Sequence, residues 1–556
     1  MLFDEIGEVF EMFRNAFPLS FLFFVPIFIA LSPVGAANEF SVYKMQRYDL
    51  QGTSYGAKNF LINMEARPVG SSSVTRKCIV ARLEEVTLSA YRDWASQNAG
   101  GLIILIPENI QQLSPEQKKH LRSLEEDLLV EENGIPVYFA PETSELTDIY
   151  DSIQNGASGD QAATAWQAFL GAATANGFQM VMSGATEKPL PDFPIASIQG
   201  RLSGSGIEEQ LPCIVLVAHY DSFGVAPGLA KGADSNGSGV VVLLELARLF
   251  SKLFTNSRTH AKYNVVFLLS GGGKFNYQGT KRWIEDNLES DTNVLTDAAY
   301  VLCLDMLGAD NSLHLHVSKP PKEGSAGAEF LKNLEEITKS SFPDVKFDMV
   351  HKKINLADEM LAWEHERFSI KRLQAFTLSH LDSHKYPSRT SILDTRDQVD
   401  VKVLSRNVQI VAEAIATHIY NLTSQSVTQL FSDALSPQES IETAWLDYLT
   451  HDARSAQLIN ADSSLINTLQ DTMSRYLKDV KITTHKADKR DPEFLFYSGS
   501  KYTLNAYNVK PAVFDLFLAA GIGAYLVLVW MVSQNFHLLY STLKKFVQQP
   551  QKTKSQ

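Results

Sequence analysis

The feature that most constrains this chain is an ordered series of apolar runs, each closing on a charged residue or a glycine turn. Val217-Ala218-His219-Tyr220-Asp221 is followed by Gly232-Ala233-Asp234-Ser235-Asn236-Gly237-Ser238-Gly239. Then come Gly279-Thr280, Asp305-Met306-Leu307-Gly308 and Asp394-Thr395-Arg396-Asp397-Gln398-Val399-Asp400. Strand ends followed by such turns are where an open α/β sheet presents functional groups. The strand-like runs 213–218, 264–269 and 300–305 alternate with helical patterns such as 240–253. This predicts a sheet with helices on its faces over residues 191–422.

A chain of 556 residues, 45% of them hydrophobic, can bury a large core and form several structural units. Its formal charge of −13 argues against a nucleic-acid partner, because gripping a phosphate backbone requires a basic face. Cys78, Cys213 and Cys303 allow at most one disulfide, so the core carries the stability. Cys213 and Cys303 fall in apolar strands, where an inert buried thiol is the default. Residues 38–190 alternate short apolar runs with helical patterns and read as a small α/β lobe with a parallel or mixed sheet. Residues 423–510 read as mainly helical and polar.

Two apolar stretches bear on the compartment. Residues 17–37 fade into small residues as a cleavage region does, yet Asp4, Glu5, Glu8 and Glu11 outnumber Arg14 ahead of them. Residues 1–37 are therefore read as a signal peptide or an uncleaved anchor. Residues 513–533 carry Asp515 as their only charge. That is long enough to cross a hydrocarbon core of ~30 Å as a helix. The tail 534–556 holds Lys544, Lys545, Lys552 and Lys554 and no acidic residue, which places it in the cytosol and the large intervening part in a lumen. Asn421-Leu422-Thr423 and Asn236-Gly237-Ser238 are N-glycosylation acceptor triplets. The last five residues resemble a dilysine retrieval signal, so the expected location is the endoplasmic reticulum membrane, with a single pass.

In a two-metal hydrolase a pair of divalent ions holds the scissile carbonyl and a bridging water, and a carboxylate takes the water's proton. His219 and Asp221 suit a metal ligand and the carboxylate that orients it. Taken as an ordered set, and with the stretch from Ser270-Gly271-Gly272-Gly273-Lys274 to Arg282-Trp283, the motifs resemble the zinc aminopeptidase family. That family includes bacterial leucine aminopeptidases and glutamate carboxypeptidase. Its pattern runs His-x-Asp, Gly-Ala-x-Asp-x-x-Ser-Gly, Glu-Glu-x-Gly-x-x-Gly-Ser, Asp-Met-x-Gly and His-Thr-x-x-Asp-Thr. The likeness is to its nicastrin-like, non-catalytic membrane branch and covers nearly the whole chain.

Carried over by residue, the resemblance makes His219 a ligand, Asp221 its orienting acid and Asp305 a further ligand. The rest departs from the pattern. Ser235 stands in place of the bridging aspartate, with Asp234 adjacent, and Gly273 in place of the general-base glutamate. Lys274 replaces the neighbouring ligand glutamate and Thr390 the last histidine. The resemblance therefore implies a vestigial site with no catalytic residue, no metal and no cofactor. A lysine there adds positive charge where two cations would sit. The Lys274 ammonium either takes over the metals' electrostatic role, paired with Asp305, Asp221 or Asp234, or points to solvent. His380 and His384 are either displaced ligands or, more simply, solvated loop histidines. Serine catalysis has no Gly-x-Ser-x-Gly elbow to use.

The resemblance implies the following fold class. It is α/β, an aminopeptidase-like three-layer lumenal domain with an additional small α/β N-terminal lobe and a single C-terminal transmembrane helix. It also implies a catalytically inactive scaffold in one complex with Nodal modulator and a small multi-pass membrane protein. That complex works at the translocon, and indirectly with the ribosome, during insertion of multi-pass membrane proteins, with effects on Nodal signalling and receptor assembly. The competing readings are a degenerate zinc metallopeptidase with residual activity and a lumenal peptide-binding receptor.

Overall fold

The computed structural model describes residues 38–58, 60–132, 134–157, 177–207, 210–289, 295–296, 298–422, 429–486, 494–509, 512–537 and 541. Eight strands form the central sheet in the order Lys346–His351, Ser312–Val317, Ala375–Ser379, Ala298–Leu304, Cys213–His219, Asn264–Ser270, Pro194–Leu202 and Lys478–Lys486. The four middle strands run parallel, and antiparallel pairings flank them. Parallel strands buried on both faces read as unbroken apolar runs, and every residue of Cys213–His219 is buried. Ile214, Leu216 and Ala218 join one core with the helices Gly239–Thr255, Ala326–Ser341 and Val401–Tyr420. Cys213, Val215 and Val217 join the other, with Trp283 and Ile284 of helix Gln278–Glu289 and Phe368 of helix His365–Ile370. This is a three-layer α/β/α arrangement, and it puts the ends of the parallel strands and the loops after them in one place.

The lobe is a closed seven-stranded barrel in the order Asn38–Lys44, Lys501–Val509, Gly177–Ser183, Asn63–Pro68, Cys78–Arg82, Gly101–Pro107 and Val137–Glu142. Alternation along one strand serves two cores. Cys78 and Val80 join a cluster with Leu146, Ile149 and Ile153 of helix Ser144–Ala157, while Ile79 and Ala81 join Leu121, Leu124 and Leu128 of helix Pro115–Val130. The latter helix starts cleanly because Ser114 and Gln117 form a capping box ahead of Pro115.

The structure differs from the sequence expectation in how the units are assembled. The region expected to be mainly helical, 423–510, contributes helices Glu439–His451 and Ser464–Tyr476 to the larger core, but also three strands. One completes the central sheet edge, one closes the barrel, and Phe494–Tyr497 joins a small sheet with Arg47–Leu50, Thr53–Gly56 and Pro189–Leu190. The edge strand Lys478–Lys486 has no fully buried residue, so its sequence lacks the apolar signature of a strand. Residues 38–190 are thus not a self-contained lobe.

Residues 1–37 and 542–556 lie outside the described residues. A helix runs Ala512–Gln534, over the expected 513–533. Several of its side chains are outside those described, and among the described residues no helix is long and apolar enough to cross a membrane.

Candidate functional site

His219 ends its strand fully buried, with Nδ1 at 3.3 Å from Glu364 Oε2. Glu364 also accepts from Ser270 Oγ at 2.8 Å and Thr280 Oγ1 at 2.5 Å, so one carboxylate joins two strand ends and the first turn of helix Gln278–Glu289. Two residues beyond His219, Asp221 accepts from the backbone N–H of Gly273 at 2.7 Å and of Lys274 at 3.0 Å. It thereby fixes the loop that follows strand Asn264–Ser270. A Cβ on Gly273 would lie 2.3 Å from Cγ of the His219 ring. The position of the family's general base is closed to any side chain while His219 holds this pose.

Asp234 and Ser235 diverge although adjacent. Asp234 Oδ1 accepts from Gly308 N at 2.8 Å, and its Oδ2 lies 2.8 Å from His380 Nε2. Ser235 Oγ receives the Lys274 ammonium at 2.7 Å and donates to Arg389 O at 3.0 Å. The two backbone N–H groups both donate to Asp394, at 2.8 and 2.7 Å.

Asp305 Oδ2 accepts from Arg389 Nη2 at 2.6 Å. The guanidinium lies 4.3 Å over the Trp363 ring and also donates to Ala362 O and the Tyr277 hydroxyl. Thr390 sits half-buried in the short turn Pro387–Thr390, and the cation that reaches Asp305 comes from its neighbour. Lys274 bonds Ser235 and Arg389 O, both uncharged, so the direct counter-ion of Asp305 is Arg389.

The electrostatics follow from burial and pairing. Burial works against the Asp305 carboxylate, but Arg389, then His219 and Lys274, hold its pKa down at about 2. Burial lowers the Lys274 amine to about 8 against the opposing pull of Asp305. Burial, with the nearby charge of Asp234, raises Asp394. Burial would lower His380, but its hydrogen bond to Asp234 and the charges of Asp234 and Asp310 outweigh it and raise the ring. His380 is buried and paired, where the sequence favoured a solvated loop position.

These groups do not fit a pair of divalent cations. Two donor atoms matching the family's ligands, His219 Nε2 and Asp305 Oδ1, have no hydrogen-bond partner among the described residues. The guanidinium of Arg389 already neutralises Asp305, and Asp234 is committed to Gly308 and His380. Among the described residues no three His, Cys, Asp or Glu side chains gather into a metal site.

Of the two glycan acceptors, Asn421 is exposed in the left-handed cap of helix Val401–Tyr420. Asn236 is fully buried, and its amide nitrogen donates to His219 O and Leu304 O. The expected modification at Asn236 is excluded in the folded chain, because the attachment atom is engaged and out of reach.

The residues that sequence reading missed are Arg389, Glu364, Trp363 and Arg454. Buried Arg454 donates to Tyr220 O and Gly232 O and so braces both motif turns from residues distant in the chain. Only the Arg389-Thr390 pair carried a signal, since it shadows the family's His-Thr with one extra residue before the aspartate.

Comparison with known proteins identifies the family and the fold. The profile of peptidase family M28 matches residues 198–415. The gamma-secretase component nicastrin superposes with a TM-score of 0.58 at 12% identity, covering 84% of this chain and 99% of its own, which shows a shared fold. The BOS complex subunit ncln of Danio rerio is 52% identical over 565 residues, covering 98% of each chain. Nicalin of Caenorhabditis elegans is 29% identical over 560 residues, covering 95% of this chain and 96% of its own. The chain belongs to the nicalin family, that of the BOS complex subunit ncln, built on a nicastrin-like M28 fold.

Proposed function

We propose that this protein is a non-catalytic subunit of a BOS complex in the endoplasmic reticulum membrane. The observation that carries the reading is the Arg389 guanidinium bonded to Asp305 at 2.6 Å, a fixed cation on a carboxylate that a metallopeptidase would give to a metal. The Gly273 backbone against the His219 ring supports it, since no base can be placed there. The relative's name supports membership of the complex. Helix Ala512–Gln534, with Leu516, Val527 and Trp530 exposed by 70%, 54% and 63%, supports a single membrane anchor. In this reading the tail is cytosolic, the larger part is lumenal and Asn421 carries a glycan. The partners are Nodal modulator and a small multi-pass membrane protein. The complex assists insertion of multi-pass proteins at the translocon, and effects on Nodal signalling and receptor assembly follow from that work.

The test is purification of the full-length chain from membranes in mild detergent, with partner identification, zinc analysis and assay on aminoacyl substrates. Co-purified multi-pass membrane proteins, little zinc and no hydrolysis are expected. Near-stoichiometric zinc together with hydrolysis overturns the proposal in favour of a degenerate peptidase.

A further inference from the structure

The strand register of the barrel gathers three separate chain positions at one end. Asn38, the first residue of its strand, is paired with Ala506, and Gly177, the first of another, with Val509, the last residue of Lys501–Val509. Antiparallel pairing of Asn63–Pro68 with Gly177–Ser183, and parallel pairing from there on, brings the ends of four more strands, Pro68, Arg82, Pro107 and Glu142, to the same end. Asn38, Glu145, Asp148, Phe178, Ala506 and Asn508 line one cleft there. Helix Ser144–Ala157 sends Leu146, Ile149 and Ile153 into the barrel cluster, while Glu145, Asp148 and Ser152 are exposed.

The other end of the barrel abuts the larger domain. Gln46 N donates to Val225 O at 2.6 Å, and Tyr43 packs so closely on Gly228 that a Cβ there would meet its ring at 2.6 Å. Helix Pro115–Val130 reaches the loop carrying Arg389 through Glu125, which accepts from Ser391 Oγ and from Ile392 N at 2.8 Å.

We infer that the barrel end bearing Asn38, Gly177 and Val509 is the membrane-facing surface of the protein, and that the barrel is a spacer between the bilayer and the aminopeptidase-like domain. The inference rests on the reading of helix Ala512–Gln534 as the membrane anchor. Three peptide steps separate Val509 from Ala512, a reach of at most about 11 Å, so an anchored helix holds this end against the lipid headgroups. Tilted strands of seven to nine residues give the spacer a height of about 20 Å. Among the described residues the exposed charges at this end, Glu84, Glu108, Glu145 and Asp148 beside the partly buried Arg67 and Arg82, are mainly acidic. Among the described residues such a rim offers no net attraction to anionic lipid, so the covalent tether sets the proximity, and salt does not release it.

The test uses the full-length chain in vesicles of phosphatidylcholine and anionic phosphatidylserine carrying a headgroup quencher. A fluorophore is placed singly through Ser152→Cys, Asn508→Cys or, on the far edge strand of the central sheet, Lys346→Cys. Cys78, Cys213 and Cys303 are buried and stay unlabelled. The labels at 152 and 508 are expected to lose most of their emission, equally in low and high salt, while the label at 346 keeps its own. Carbonate extraction of the same vesicles separates the two claims. A chain that washes off defeats the anchor reading and the inference with it. A chain that stays while labels 152 and 508 remain as bright as 346, or dim only at low salt, overturns the inference and leaves the anchor standing.

Discussion

Arg389 and Asp305 form a buried ion pair at 2.6 Å, with the arginine side chain 11% exposed and the aspartate 1% exposed. Removing one partner of such a pair leaves an uncompensated charge. Arg389→Met is therefore expected to destabilise the protein by about 3–5 kcal/mol, and adding Asp305→Asn is expected to recover much of that loss. Urea denaturation of the three proteins checks this. Equal midpoints for the unaltered chain and Arg389→Met would mean that the pair contributes nothing to the fold.

Lys274 behaves in the opposite sense. Its pKa is lowered from 10.5 to about 8, chiefly by burial. Between those values the unfolded chain holds a proton that the folded chain has released, so stability rises with pH across that window and is lowest below it. Lys274→Met is expected to remove the rise and to equal or exceed the unaltered chain near pH 7. Denaturation midpoints measured from pH 7 to pH 10 decide it. A marked loss at pH 7 would restore Lys274 as an essential internal counter-ion.

Gly273 tests whether the site can be rebuilt. Because a Cβ meets the His219 ring at 2.3 Å, Gly273→Ala is expected to cost about 1–3 kcal/mol through forced displacement. Gly273→Glu, which restores the family residue, is expected to cost at least as much and to yield no aminoacyl hydrolysis. Thermal melts and an assay with added zinc check both variants.

Glu125 predicts a pH response in the contact between lobe and core. Burial pushes its pKa from 4.5 up to about 7, although Ile392 N–H and Ser391 oppose the shift. Between those values the folded chain holds the proton and the unfolded one has lost it. Stability therefore falls as pH rises from 4.5 through 7, by roughly 3 kcal/mol at most. Glu125→Gln is expected to flatten this slope. Denaturation midpoints across pH 4.5 to 8 report it, and identical slopes for the two proteins would count against the assignment.

The parts of the site that could be read from the sequence are those where chemistry and chain are contiguous. His219 and Asp221 stand two apart at the end of an apolar strand, and the turn around Asp234 carries its own glycines. Arg389, Glu364 and His380 act on partners 84, 145 and 146 residues away, which no local pattern marks. Strand Cys213–His219 was legible because both faces are covered by helices. Strand Lys478–Lys486 was not, because its edge position lets polar side chains occupy both faces. The barrel escaped notice for a related reason: its closing strand lies far along the chain from the strands it joins.

That closing strand bears on how the protein is made. The first lobe strand, Asn38–Lys44, emerges early during synthesis, yet its partner Lys501–Val509 is among the last segments before helix Ala512–Gln534. Until residue 509 is delivered, Asn38–Lys44 and Gly177–Ser183 are left as open edges, which are prone to wrong pairing and slow to resolve. Completion of the lobe therefore reports that synthesis has passed residue 509. A product terminated before Lys501 cannot display a closed barrel and keeps two unpaired strand edges, the feature that sets it apart from the finished molecule.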